Sequence, residues 1–223
     1  ARQFGVSREE QDSFAFASHS KARTAQQKGL LADEIAPYRL GDTMIADDGC
    51  VRETTLEKLA GLKTVFMKDG TVTAGSSSPM TDGATALLVC TEEFARRRGL
   101  DLLARVESFA VSGCAPGIMG MGPVESSRKA MARAGVTMKD IDIVEMNEAF
   151  AAQAEACRRQ LDIPHEKLNV DGGAIALGHP LGATGGRLVG KAASLLRREK
   201  GRRALATQCI GGGMGIAMVM EAA

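Results

Sequence analysis

Tryptophan is absent from these 223 residues, and Tyr38 is the only tyrosine. Little aromatic surface is therefore available for stacking nucleic-acid bases. An excess of one charge sign is missing as well. Lys+Arg 28 against Asp+Glu 27 leaves a net +1, which argues against a nucleic-acid partner, since such proteins carry a basic face. The five cysteines (Cys50, Cys90, Cys114, Cys157, Cys209) form no CxxC pair and are odd in number. That disfavours a zinc site and a disulfide framework, and it points to reduced thiols in a cytoplasmic compartment. No apolar run reaches the roughly 18 residues that a membrane helix needs. The first residues, ARQFGVSREEQ, hold neither a secretory apolar stretch nor an initiator Met. The chain is expected to begin inside a fold.

What is present is an ordinary globular composition, 44% hydrophobic and 25% charged, with 26 glycines, many of them placed where strands should meet helices. Ser7 and Glu10 make a capping box, S-x-x-E, ahead of a helix over 8–28 that Gly29 ends. Residues 33–80 are broken repeatedly by Pro and Gly, with one short helix near 54–61, and read as an irregular, ligand-facing region. From residue 82 the pattern is regular. Strands are expected at 84–90, 104–113, 141–145, 168–170, 203–209 and 215–221. Helices are expected at 91–98, 123–134, 147–161 and 184–200. Pro123 and Gly135 bracket the second of these. Alternation of this kind implies a layered α/β fold with much of its sheet covered on both faces.

Candidate chemistry gathers at the glycine-rich turns. His179 stands in GGAIALGHPLGATGG, held between Gly178 and Pro180, where a constrained turn fixes the imidazole and leaves room beside it. A lone histidine equally suits a structural role. Cys209 precedes Gly211, Gly212 and Gly213, whose unencumbered N–H groups suit an oxyanion cradle and whose turn also suits a plain hairpin. Asn147, between a strand and a helix, reads either as an N-cap or as an amide that orients a water or carbonyl. Glu148 reads as a complement to the helix N-terminus. Met119, in GIMGMGP, suits a flexible pocket lining. His19 and His165 read as surface or helix-end residues, and the other four cysteines as packing.

Four segments together, TVTAG at 71–75, MNEAFA at 146–151, GGAIALGHP at 172–180 and CIGGG at 209–213, closely resemble the thiolase family in order and spacing, and SREEQD at 7–12 resembles its loop domain. The resemblance runs the length of the chain. It implies a thiolase-like layered α-β-α fold: part of the CoA-binding loop domain at 1–80, and the C-terminal βαβαβαββ half at 81–223. It also implies reversible cleavage of 3-ketoacyl-CoA through an acyl-cysteine. His179 would activate the nucleophilic cysteine and, with a water held by Asn147, form one oxyanion hole. Cys209 would be the acid/base, and the Gly211 N–H would serve the second oxyanion hole, each well-placed donor contributing about 3–4 kcal/mol. Met119 and Phe150 would line the acyl pocket, Ser78 would lie along the pantetheine arm, and Arg52 would approach the CoA nucleotide.

None of the five cysteines stands in the context of the family's nucleophile. The resemblance therefore implies the C-terminal portion of such an enzyme, inactive alone, whose N-terminal half comes from another chain or has been lost. CoA and acyl-CoA are the implied substrates, with no permanently bound cofactor or metal, and a homo-oligomer, dimer or tetramer, is expected. GHPLGATGG and SSSPMTDGA lean toward the degradative 3-ketoacyl-CoA type. An acetoacetyl-CoA-forming biosynthetic enzyme and a non-catalytic CoA-binding module stand as alternatives.

Overall fold

The computed structural model describes residues 1–223. In chain order its elements are α1 (Arg8–Gln27), β1 (Tyr38–Leu40), β2 (Thr43–Ile45), α2 (Leu56–Ala60), α3 (Glu92–Arg98), β3 (Ala104–Gly113) and α4 (Gly122–Ala134). Then come β4 (Ile143–Met146), α5 (Ala151–Gln160), the single turn α6 (Ala174–Leu177), α7 (Thr184–Arg198), β5 (Arg203–Ile210) and β6 (Met214–Ala222). They divide into two compact units that interleave along the chain. The first comprises 1–82, 147–160 and 169–181, and the second comprises 83–146, 161–168 and 182–223.

In the first unit α1 is the organising element. Ser7 accepts from the Glu10 N–H while Glu10 accepts from the Ser7 N–H, which completes the capping box. Replacing Ser7 by alanine is expected to cost about 1 kcal/mol, read as a lower urea midpoint at unchanged slope. The buried face of α1 runs through Gln11, Asp12, Ala15, Ser18, His19, Ala22 and Ala25. Its alanines let two neighbours approach closely: Leu59, Ala151 and Ile175 gather on Ala15, and Leu31, Ala176 and Leu177 on Ala22 and Ala25. Arg8, held by Asp12 at 2.8 Å, donates to the carbonyls of Leu59, Ala60 and Leu62. It thereby adds a donor to the carbonyls at and just beyond the end of α2, where Leu59 O also accepts from the Leu62 N–H. The irregular 33–80 region contains α2 as expected, together with an exposed two-stranded hairpin, β1 with β2.

The second unit is built on a four-stranded sheet in the order β3-β6-β5-β4, with β4 and β5 parallel and the other pairs antiparallel. Every residue of β4, and Ala204, Leu205, Ala206 and Thr207 of β5, is buried, which requires cover on both faces. Helix α4 packs on β3, β5 and β6, and α7 packs on β4, β5 and β6. Along β3 only alternate residues are buried. The hydroxyls of Ser108 and Ser112 donate to carbonyls of Ala130 and Gly122 in α4, whereas Phe109 and Val111 stay exposed.

Two expected strands are absent. Residues 84–90 join no sheet, and Leu88 and Val89 are 75% and 80% exposed. An apolar run supplies strand propensity, but a strand exists only where a neighbour completes its ladder. At 168–170 pairing shrinks to one parallel bridge, Leu168 to Val144. The expected helix at 147–161 begins four residues late, at Ala151, so the N-cap role for Asn147 is overturned.

Candidate functional site

The first unit carries His179, Asn147, Phe150, Ser78 and Arg52. The α6 turn closes with the Gly178 N–H donating to Ala174 O at 2.9 Å. Gly178 then takes φ +96, a conformation that side chains resist. A Cβ there would also lie 2.7 Å from the Thr81 side chain. The next N–H, of His179, donates to Pro79 O at 3.2 Å. The imidazole is thus delivered by a backbone pinned on both sides.

It meets Asn147. Asn147 Nδ2 and His179 Nε2 lie 3.3 Å apart, and Asn147 is fully buried. Nε2 accepts from Nδ2 in the tautomer that carries its proton on Nδ1. Asn147 Oδ1 is buried without a hydrogen-bond partner, an acceptor whose desolvation costs about 1–3 kcal/mol. A donor entering this site would recover that cost.

The strap 73–81 holds the Asn147 segment in place. Ser78 donates to Ala149 O through both its N–H and its hydroxyl, each at 3.1 Å, and Ser77 bridges to Phe150. The Phe150 ring packs edge-on against Phe66, with centroids 5.8 Å apart. At the α5 start, the Ala149 N–H donates to Gln153 Oε1.

Arg52 lies beside His19, its N–H donating to His19 Nδ1 at 3.3 Å. Both line two open clefts of about 400 and 250 Å³, the first with Arg23 and the second with Lys58. Burial, with the Arg52 charge adding to it, pushes the His19 imidazole below its ordinary value. His19 is therefore no surface residue, being 7% exposed. Its place at i+4 and i+7 from Ala15 and Asp12 on α1 was the signal that it faces inward.

The second unit carries Cys209, Gly211 and Met119. Cys209 sits near the end of β5 opposite Gly215, and the glycine loop returns as β6. Gly212 and Gly213 take φ +81 and +91. Gly211 is exposed, and a Cβ there would meet nothing within 4 Å. Burial pushes the Cys209 thiol up, and the Cys114 thiol adds to this against a backbone hydrogen bond. Cys114 is thus more than packing. Its N–H donates to Gly213 O at 2.7 Å, and its thiol donates to the carbonyls of Ile118 and Met119. The β3-β6-β5 register places Ser112, Gly215 and Cys209 in one row, and only that pairing, formed after folding, relates Cys114 to Cys209. Iodoacetamide labelling, followed peptide by peptide, is expected to reach Cys209 only as pH rises past the ordinary thiol range. Rapid labelling at neutral pH would contradict a protonated thiol.

No cluster of His, Cys, Asp and Glu side chains is arranged to hold a metal ion, and no helix is long and apolar enough to cross a membrane.

Comparison with known proteins covers nearly the whole chain, along a division in sequence that differs from the two interleaved units. Residues 1–93 match the thiolase N-terminal domain and residues 100–222 the thiolase C-terminal domain. An acetyl-CoA acetyltransferase of Paracoccus denitrificans is 48% identical over 99% of this chain and 58% of its own length. A 3-ketoacyl-CoA thiolase of Aliivibrio fischeri is 49% identical over 97% of this chain and 59% of its own length. Among solved structures, human mitochondrial 3-ketoacyl-CoA thiolase in complex with CoA superposes on the whole chain with a TM-score of 0.98 at 44% identity, over 57% of its own length. The chain spans under three-fifths of the relatives it matches, its fold is theirs, and it belongs to the thiolase family.

Proposed function

We propose that the protein carrying these residues is an acyl-CoA thiolase that cleaves 3-ketoacyl-CoA with CoA, its nucleophilic cysteine lying outside the 223 residues. The observation that carries this is the Asn147–His179 pair, with Nδ2 and Nε2 3.3 Å apart and a buried, unpartnered amide oxygen beside them. His179 Nε2 takes the proton of the nucleophilic thiol, and the thiolate attacks the 3-keto carbon. The C2–C3 bond breaks, its electron pair leaves as the enolate of acetyl-CoA, and the Cys209 thiol protonates that carbon. The Cys209 thiolate then takes the proton of incoming CoA, whose sulfur attacks the acyl-cysteine; the shortened acyl-CoA leaves, and the departing nucleophilic cysteine recovers its proton from His179. The protonated imidazole, with a water oriented by Asn147, forms one oxyanion hole and the Gly211 N–H contributes to a second, so that the enolate and the tetrahedral intermediates each find a donor.

Arg52, with Arg23, His19 and Lys58 around the clefts, suits the phosphates of CoA. Met119 and Phe150 suit the acyl chain, and Ser78 the pantetheine arm. Relatives named both acetyl-CoA acetyltransferase and 3-ketoacyl-CoA thiolase support the two directions of this chemistry, degradative in fatty-acid metabolism or forming acetoacetyl-CoA. We place it in the cytoplasm, as a dimer or tetramer, on its free thiols and the family pattern respectively.

Incubation with acetyl-CoA followed by peptide mass mapping tests the covalent route. The full-length protein is expected to gain one acetyl group on a cysteine outside these residues, and the 223-residue chain to gain none. Acetylation of Cys209 would overturn the assignment of its role.

A further inference from the structure

Glu148 is 2% exposed, and its carboxylate joins three separate stretches of the first unit. Oε2 accepts from the Ser18 hydroxyl of α1 at 2.7 Å and from the Ile175 N–H of α6 at 3.1 Å. Oε1 accepts from Asn169 Nδ2 at 2.7 Å. The Ser18 oxygen in turn accepts from the Gly173 N–H at 3.1 Å. The carboxylate presses so closely on the turn that a Cβ at Gly173 would lie 2.1 Å from its Cδ. Asn169 meets it from φ +44, in the left-handed region. Glu148 is covalently next to Asn147, and Ile175 is four residues before His179. Its side chain therefore ties the backbone carrying Asn147 to the turn carrying His179. A complement to a helix N-terminus does not describe it: α5 begins three residues later, and the contacts go to α1, α6 and Asn169.

Resting on the assignment of His179 as the base, we propose that Glu148 is a positioning residue whose buried carboxylate fixes the 3.3 Å geometry between Asn147 and His179. It touches no reacting atom. Charge-assisted acceptance from three donors makes the link stiffer than a neutral amide could. A glutamine there presents one acceptor in place of two, and its NH2 faces the Asn169 NH2.

The test combines kinetics with nitrogen NMR of the His179 ring in the full-length protein, the ring signals being assigned by their loss in His179→Asn. In Glu148→Gln, thiolysis kcat is expected to fall about ten- to a hundredfold with KM held within about twofold. The His179 ring nitrogens should move from a single tautomer toward an average of two, while His165 stays put. Glu148→Gln combined with Asn169→Asp, which restores a donor facing an acceptor, is expected to recover most of the loss. Should Glu148→Gln not fold, Ser18→Ala, which removes one donor, is expected to show the same signature to a smaller degree. Variants that lower only the urea midpoint and leave the His179 signals and kcat unmoved overturn the proposal. A wild-type protein that cleaves no 3-ketoacyl-CoA would sink the thiolase assignment instead, and the His179 signals would still decide the role of Glu148.

Discussion

Replacement of His179 by alanine is expected to lower thiolysis turnover by about a thousandfold, roughly 4 kcal/mol of transition-state stabilisation. Two functions vanish together: the base that generates the thiolate, and a donor to the developing oxyanion. Each alone is worth about a hundredfold or more. They reside on one ring, so the losses do not multiply in full. The fold should survive, because His179 enters its turn through backbone hydrogen bonds of Gly178 and of its own N–H. Steady-state kinetics on 3-ketoacyl-CoA, with circular dichroism to check folding, decides the matter. A folded His179→Ala enzyme within about tenfold of wild type would remove the histidine from the mechanism.

Cys209→Ser should be as damaging, with a different signature. The serine hydroxyl is far too weak an acid to exchange a proton with the enolate at neutral pH, and a loss of about 10³–10⁴-fold is expected. The burial that raises the Cys209 thiol keeps it protonated, as an acid that waits for the enolate must be. Acylation by a simple acyl-CoA is the reverse of the last step, so there Cys209 protonates the departing CoA sulfur. A thiolate leaves unaided far more readily than an enolate, so acyl-enzyme formation should be slowed much less than turnover in Cys209→Ser, and rapid-quench kinetics separates the two. An equal loss of acylation and turnover would show that Cys209 holds the site together.

Much of this was legible in the chain because local rules sufficed. Ser7 and Glu10 placed the start of α1, and Gly99 and Gly135 take the left-handed conformation that ends α3 and α4. The alternation at 104–113 matches β3 residue for residue. What failed depended on partners. Residues 84–90 have the composition of a strand but no neighbour to pair with. Asn147 precedes a helix in sequence, yet the Ser77–Phe150 bridge intervenes before α5 starts. At the site, His179 and Cys209 stood out because glycines flank them. Glu148, His19 and Cys114 did not, because what defines them is contact with Ser18 and Ile175, with Arg52, and with Gly213 respectively. Those contacts join residues far apart in the chain. For His19 the periodicity of α1 would have sufficed.

The most direct measurement is the CoA-dependent cleavage of acetoacetyl-CoA and of a longer 3-ketoacyl-CoA by the full-length protein, with products quantified by chromatography. One acetyl-CoA and one shortened acyl-CoA are expected per substrate consumed, with no reaction when CoA is omitted. Binding of 3-ketoacyl-CoA without cleavage, by a folded protein supplied with CoA, would contradict the thiolase assignment.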